Sequence, residues 1–522
     1  MLSNGVLLFQ LVETSRAVAE TRKRTEKVAR LAALLAELAE NEVGLGVRYL
    51  SGELPQGKVG VGYAAVSNAE VPPAAEPSLT LLELDARLTE LTTLKGAGST
   101  TRRKELLLGL LARATEHEQH FLKMLLVGEL RQGALEGIMA DAIAAAFRVS
   151  LVGVRRASML HADLGVVAQA ARERGEAGLG QFRLELFRPL SPMLAQSAAT
   201  VEEAVSEAAP PAILEQKLDG ARVQVHKVED QVRIYTRSLH EVSARVPEIV
   251  RAVQALPAKS LILDGEALGL RPDGRPQPFQ ISMRRFGAKQ LTPELERELP
   301  LDAFFFDVLH ADGRDFIDAK AIDRNQALAS IVPEKQRVKS LITASRAEAS
   351  AFLSAALADG HEGILVKAPE APYEAGRRGA GWLKLKPAHT LDLVVLAAEW
   401  GSGRRHGFLS NLHLGARGKE PGTFVMLGKT FKGMTDAMLA FQTEALLKLQ
   451  LGRERHVVHV KPELVVEVAF DGVQASREYP GGVALRFARV KRYRSDKTAA
   501  DVDSIVSVKA LSLLEPDADA AV

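Results

Sequence analysis

The chain has 522 residues, 47% of them hydrophobic and 25% charged, which is room for roughly two to four domains and excludes wholesale disorder. A formal net charge of +2 excludes a global field for polyanions, so any such site must be a local gathering of Lys and Arg. Cysteine is absent, which excludes disulfides and Cys-ligated zinc or iron–sulfur centres and fits a reducing cytoplasm.

Residues 1–12 are apolar but lack a basic leading region and a cleavage site, so they predict a helix or strand and not a signal peptide. No apolar run approaches the roughly 20 residues of a membrane span, so the protein is expected to be soluble. Residues 1–180 predict an all-α domain. Val28, Leu31, Leu34, Leu35 and Leu38 mark one amphipathic face, and Leu106, Leu107, Leu110 and Leu111 mark another. Basic side chains at Arg102-Arg103-Lys104, Arg131 and Arg155-Arg156 suit either solvated helix faces or phosphate contacts. Gly57-Lys58-Val59-Gly60-Val61-Gly62 is no P-loop, because Val59 stands where Ser or Thr should follow the lysine; a loop is predicted.

Prolines at 189 and 192 mark a boundary. Short β-branched runs follow, at 223–225, 232–235, 261–263, 303–306, 363–366 and 382–385, with helical stretches at 247–256 and 346–357. Residues 188–387 therefore predict an α+β domain. Residues 388–508 read as short strands, at 391–397, 423–427, 464–470 and 484–490, and predict a small β-barrel of the oligonucleotide-binding kind. Gly401-Ser402-Gly403-Arg404-Arg405-His406-Gly407 would be a basic loop on it, and 509–522 an acidic tail.

Glu215-Gln216-Lys217-Leu218-Asp219-Gly220-Ala221-Arg222 sits at the start of the second domain, with Lys217 and Asp219 expected on one side of an extended segment. Alone, K-x-D-G fits a solvated lysine and an Asp–Gly turn as well as it fits a nucleophile. A lysine attacking a nucleotide phosphate needs an aromatic face for the base, an acceptor for the sugar, cations for the phosphates and carboxylates for a divalent ion. Leu263-Asp264-Gly265-Glu266, Phe304-Phe305-Phe306-Asp307 and His361-Glu362-Gly363-Ile364-Leu365-Val366-Lys367 supply most of these in order. Trp382-Leu383-Lys384-Leu385-Lys386 alternates, so Trp382, Lys384 and Lys386 share a face.

These segments, with Arg237 and Arg486-Phe487-Ala488-Arg489-Val490-Lys491-Arg492-Tyr493-Arg494-Ser495-Asp496-Lys497, resemble the six collinear motifs of covalent nucleotidyltransferases, and specifically of ATP-dependent DNA ligases. Ala488 stands where that family usually has proline. The stretch Phe121 to Gly133 is similar to the helical DNA-binding domain of the bacterial and archaeal branch, so the resemblance spans nearly the whole chain. It implies a helical DNA-binding domain, an adenylation domain and an oligonucleotide-binding-fold domain that form a C-shaped clamp on nicked duplex DNA.

The resemblance implies that Lys217 attacks the α-phosphorus of ATP and carries AMP, which passes to a 5′-phosphate before the 3′-hydroxyl seals the nick. Glu215 would meet the adenine edge, Phe306 its face, and Glu266 the ribose. Arg222, Arg237, Arg378, Lys384, Lys386 and Lys367 would serve the nucleotide, joined on closure by Arg494 and Lys497. Glu362, with Asp219 or Glu266, would hold Mg2+. NAD-dependent relatives carry a four-cysteine zinc module that this chain cannot build, which favours ATP. A monomer in the cytoplasm, associated with the nucleoid, is expected. An RNA ligase or capping enzyme is the nearest alternative, and a non-catalytic DNA scaffold the alternative from another class. A serine or zinc hydrolase lacks its motifs, since His456-Val457-Val458-His459 has no H-E-x-x-H spacing and reads as strand.

Overall fold

Leucine spacing sets the N-terminal architecture. In the computed structural model, which describes residues 6–21, 23–130, 136–288, 290–374, 378–386, 389–402 and 405–511 (side chains of 378–380 excepted), helix Arg24–Glu37 turns Leu31, Leu34 and Leu35 inward. Helix Ser99–Ala112 does the same with Leu107, Leu110 and Leu111. Thr80 and Thr115 each open a helix with a capping box, closed by Glu83 and Glu118. One leucine-rich core joins the helices from Leu8 to Leu179. The chain's apolar start is helix Leu8–Glu20, and residues 57–62 carry neither helix nor strand. Several of the basic side chains are spent internally. Arg103 donates to the carbonyls of Leu91 and Leu94, and Arg155 pairs with Asp141. Arg156 pairs with Asp318 of the next domain, while Arg102 and Lys104 are exposed. Arg131 lies outside the described residues.

The connection into the α+β region is pinned across a sheet. The Phe187 amide donates to His226 Nδ1 (2.9 Å), the Leu190 amide to Gln224 Oε1 (2.7 Å), and the Tyr235 hydroxyl to the Phe187 carbonyl (2.8 Å). Burial, aided by nearby His310, pushes His226 down to about 3, so the imidazole is neutral and can accept that amide.

Two five-stranded sheets form the middle region. The first has the order β1 (Leu194–Ser197), β10 (Arg378–Leu385), β9 (Gly363–Lys367), β2 (Ala212–Lys217), β8 (Ser340–Thr343). The second runs β4 (Gln231–Thr236), β3 (Ala221–Val228), β5 (Ser260–Leu268), β6 (Asp302–Ala311), β7 (Arg314–Asp315). Each packs helices on its own apolar core, Pro247–Gln254 on the second sheet and Arg346–Ala358 on the first. A smaller cluster ties Met159 and Leu160 of the last N-terminal helices to Leu190, Met193, Tyr373 and Trp382.

The C-terminal region is strand-rich: β11 (His389–Trp400), β12 (Leu409–Arg417), β13 (Phe424–Thr430), β14 (Gln450–Glu454), β15 (Val457–Val460), β16 (Val465–Phe470), β17 (Gly472–Ala475), β18 (Val483–Arg486) and β19 (Arg489–Tyr493). The long β11 pairs on one side with β12 and on the other with β16 and then β15. No strand pairing among the described residues closes this sheet into the expected barrel. Two details depart from expectation. Helix Asp436–Lys448 interrupts the strands, and the run 484–490 is broken in two by a turn at Phe487, whose φ is 53°. His456–His459 does lie on strand β15, apart from its first residue.

Candidate active site

The two middle sheets face each other across a cavity of about 650 Å³. Glu215, Lys217, Trp382, Lys384 and Lys386 line it from the first sheet; Arg222, Arg237, Glu266 and Phe306 line it from the second. Strand ends gather there because the alternation of β10 does put Trp382, Lys384 and Lys386 on one side. The third wall belongs to the C-terminal region and was not foreseen in full: Lys432, Asp471, Phe487 and Arg489. Arg489 opens the second half of a recognised motif, but Lys432 and Asp471 carry no spacing signal.

Lys217 ends β2 with its Nζ 2.6 Å from Glu362 Oε2, and Lys386 Nζ lies 2.5 Å from the same oxygen. Burial would raise the Glu362 carboxyl, but the two lysines hold it down at about 2. Glu362 is brought there by its neighbour: Gly363 has φ 144° and sits so close to β10 that a Cβ would meet the Leu385 carbonyl oxygen at 2.1 Å. Only glycine permits that approach.

Beneath the cavity lies a layer of buried charge. Glu215 Oε1 accepts from Lys367 Nζ at 2.7 Å, and Lys367 also donates to the Phe306 carbonyl at 2.7 Å. Lys367 was expected on the nucleotide. It instead lies behind the wall, because β6 of the second sheet covers the face it stands on, and a buried ammonium must find a carboxylate. Burial raises Glu215 to about 6 against the pull of Lys367, and its Oε2 is buried without a hydrogen-bond partner. Arg222 lines the cavity but is held largely by the wall itself. Its guanidinium forks onto Asp264 (2.6 and 3.0 Å) and is flanked by the Phe306 and Trp382 rings at 5.5 and 5.6 Å. Burial lifts Glu266 to about 7, opposed by Lys217 and Arg222.

Asp219 does not share Lys217's side. β2 ends at Lys217 and the chain turns through Gly220, where a Cβ would meet the Ala267 carbonyl oxygen at 2.5 Å. Asp219 thus faces a neighbouring cleft of about 400 Å³ and pairs with Arg486 of β18 at 2.7 Å. Burial and nearby Glu362 raise its carboxyl despite Arg486. Among the described residues no three Asp, Glu or His side chains converge as a metal-ligand set; of the two partners expected for Glu362, Asp219 comes within hydrogen-bonding reach of it. Arg494 and Lys497 line neither opening; both bind Asp392 of β11, at 2.9 and 2.5 Å. Arg486, Phe487 and Arg489, given no contact in advance, line the two openings instead, because the turn at Phe487 is what reaches the cleft. The Arg378 side chain lies outside the described residues.

Comparison with known proteins places this geometry in company. Family models match in chain order: "DNA ligase N terminus" over residues 60–144, "ATP dependent DNA ligase domain" over 192–386, and "ATP dependent DNA ligase C terminal region" over 405–497. A probable DNA ligase of Anaeromyxobacter sp. (strain Fw109-5) is 58% identical over 97% of this chain and 98% of its own length. A probable DNA ligase of Mycobacterium marinum is 54% identical over 97% and 100%. The solved structure Pmar-Lig_PreS3 covers 93% of this chain and 99% of its own with a TM-score of 0.60 at 18% identity, a likeness of fold.

Proposed function

The chain belongs to the ATP-dependent DNA ligase family, and on that premise we propose that it seals 5′-phosphate/3′-hydroxyl nicks in duplex DNA through a Lys217–AMP adduct and a DNA-adenylate. One observation carries the reading: Lys217 stands at a cavity whose walls also hold an aromatic face and a buried, unpartnered carboxylate oxygen. The cavity's size falls in the range of roughly 300–1,000 Å³ usual for small-molecule sites. Glu215 Oε2 suits the exocyclic amine of adenine, Phe306 its face, and Glu266 the ribose hydroxyls. Arg222, Arg237, Lys384 and Lys386 supply cations for the phosphates, with Arg378 assigned there by motif alone.

In the first step Lys217 Nζ, having lost a proton, attacks the α-phosphorus. An N–P bond forms as the α–β P–O bond breaks, and pyrophosphate leaves. Nζ must part from Glu362 to do so. In the second step a 5′-phosphate oxygen of the nick attacks the adenylate phosphorus and Lys217 is released. In the third the 3′-hydroxyl attacks the 5′-phosphorus, loses its proton, and AMP departs. The adjacent oxygens of Glu362 and Asp219 fit a hard divalent ion, so these two would hold Mg2+, with water completing its shell. When bound, the ion supplies charge neutralisation to the phosphates.

Lys432, Phe487 and Arg489 form part of the cavity wall, so the arrangement suits nucleotide attack, and the C-terminal region must swing aside to admit DNA. The reading carries domain bounds of 1–180, 188–387 and 388–508 with an acidic tail at 509–522. It also takes the C-terminal sheet as an oligonucleotide-binding fold, with the bent β11 shared between β12, β15 and β16 as support. A monomeric clamp in the cytoplasm, serving replication, repair or recombination, completes it. Among the described residues no helix is long and apolar enough to cross a membrane.

The test is incubation with α-labelled ATP and Mg2+ without DNA, followed by a denaturing gel. Label on wild type and none on Lys217→Ala is the expected result, followed by sealing of nicked DNA in preference to nicked RNA. A folded wild type that takes no label from ATP, NAD or GTP would move the scaffold reading to first place.

A further inference from the structure

Tyr373 is fully buried, yet no motif contains it and the proposed reaction has no use for a phenol. Its hydroxyl is saturated. It donates to Asp264 Oδ2 at 2.7 Å and accepts from Arg222 Nη2 and from the Met193 amide, both at 3.2 Å. A phenol oxygen has one proton and two lone pairs, and all three are used. The ring is held as well: it meets Trp382 edge-on at 5.8 Å, and the Arg324 guanidinium lies 5.9 Å from its centre. Arg324 in turn donates to the carbonyl of Ala371, two residues before the tyrosine, and forks onto Asp307.

Arg222 is the group this arrangement fixes. Nε and Nη2 reach Asp264, the second Nη2 proton reaches Tyr373, and Nη1 reaches the Met193 carbonyl at 2.5 Å. Four of its five N–H groups are therefore committed, and the fifth, on Nη1, is what a side chain lining the cavity can offer a ligand. The Nη1 bond to the Met193 carbonyl ties one end of the Arg222–Asp264 pair to the backbone and leaves the Asp264 end to rock about it. The Tyr373 hydroxyl adds a second tie, from the Met193 amide to Nη2 and Asp264, and so removes the rocking.

We propose that Tyr373 is a positioning residue: its hydroxyl locks the Arg222–Asp264 pair so that the remaining Arg222 N–H meets a phosphate oxygen in the cavity. This rests on the proposed reaction, because it takes the ligand there to be a nucleotide phosphate. Phenylalanine at 373 keeps the ring contacts and deletes only the lock, so bound geometry suffers more than binding itself.

The experiment measures single-turnover formation of the Lys217–AMP adduct against ATP concentration in the full chain, for wild type, Tyr373→Phe, Arg222→Lys and the double variant, with thermal melts alongside. Tyr373→Phe is expected to slow the saturated rate by about tenfold, the scale of a hydrogen bond to a charged group, with half-saturating ATP unchanged within about twofold. The double variant is expected to be no slower than Arg222→Lys alone, since with the fork gone there is nothing left to position. A purely structural tyrosine would give losses that multiply in the double variant, and that result overturns the proposal. So does a Tyr373→Phe that labels at the wild-type rate while Lys217→Ala takes no label, an outcome that leaves the proposed reaction standing. A wild type that takes no label overturns both.

Discussion

Two sets of ion pairs flank Lys217, and they differ in how much water reaches them. Below the cavity, Arg324 and Asp307 are 1% and 3% exposed, and Lys367 and Glu215 are equally enclosed. Between the middle and C-terminal regions, Arg486 and Asp219 are 18% and 25% exposed, and Lys386 and Asp471 sit 3.8 Å apart in similar surroundings. A pair without water cannot let go of one partner without stranding the other's charge, whereas a wetted pair exchanges its partner for solvent at little cost. The first set therefore suits a surface that must hold its shape, and the second a contact that must be made and broken in each turnover.

Removing one partner of the enclosed set tests this contrast most severely. Arg324→Leu is expected to cost about 3–5 kcal/mol in urea unfolding, because Asp307 is left buried and unpaired. A loss of a few tenths would mean that water already reaches that layer. Phe306→Ala leaves the charges alone and strips the wall above them. It is expected to weaken ATP use in adduct formation by roughly 1–3 kcal/mol, and an unchanged ATP requirement would remove Phe306 from the base site.

Much of the enclosed set's role was invisible to the sequence, although its residues were in view. Lys217, Glu266, Phe306 and Lys384 could be read as one site because each closes or follows an apolar strand run and the order of the runs is distinctive. The same reading put Lys367 on the ligand, since nothing in one strand's pattern says that a strand of the other sheet will cover its face. Tyr373 and Arg324 had no periodicity to reveal them; their partners lie 109 and 17 residues away. Helix Asp436–Lys448 was missed because Met438, Leu439, Phe441, Leu446 and Leu447 surround it instead of forming a stripe. The motif charges at Arg494 and Lys497 drew attention from Arg486, which only a turn at Phe487 brings to the cleft.

A third, intermediate case is neutral. His226 is buried with its ring unprotonated and accepts the Phe187 amide, so it anchors the connection from the helical region. Its folded value of about 3 lies below the ordinary 6.5. The unfolded chain thus binds a proton that the folded chain does not, and stability is full above pH 6.5 and falls as pH drops from there toward 3. The slope approaches about 1.4 kcal/mol per pH unit. Unfolding curves at several pH values should show this slope in wild type and a shallower one in His226→Gln; equal slopes would mean that the imidazole gains its proton while folded.

The smallest effect belongs to the wetted set. Arg486→Gln is expected to change global stability by about 0–1 kcal/mol. It should nonetheless raise the radius of gyration measured by X-ray scattering, as high salt should in wild type. No expansion in either case would mean that other contacts, such as Gln280 to the Ala475 carbonyl, hold the regions together.

Lys432, Phe487 and Arg489 share a cavity wall with Lys217. A nucleotide held there touches both regions at once and acts as a reversible cross-link between them. Closure and nucleotide affinity are then two readings of one equilibrium. Any change that makes the closed form rarer must lower apparent ATP affinity by the same factor, and ATP must in turn draw the regions together by that factor. If AMP stays on Lys217 as proposed, the departure of pyrophosphate removes part of that cross-link. On the proposed reaction, the chemistry of the first step would thereby open the molecule for the second, without a separate signal.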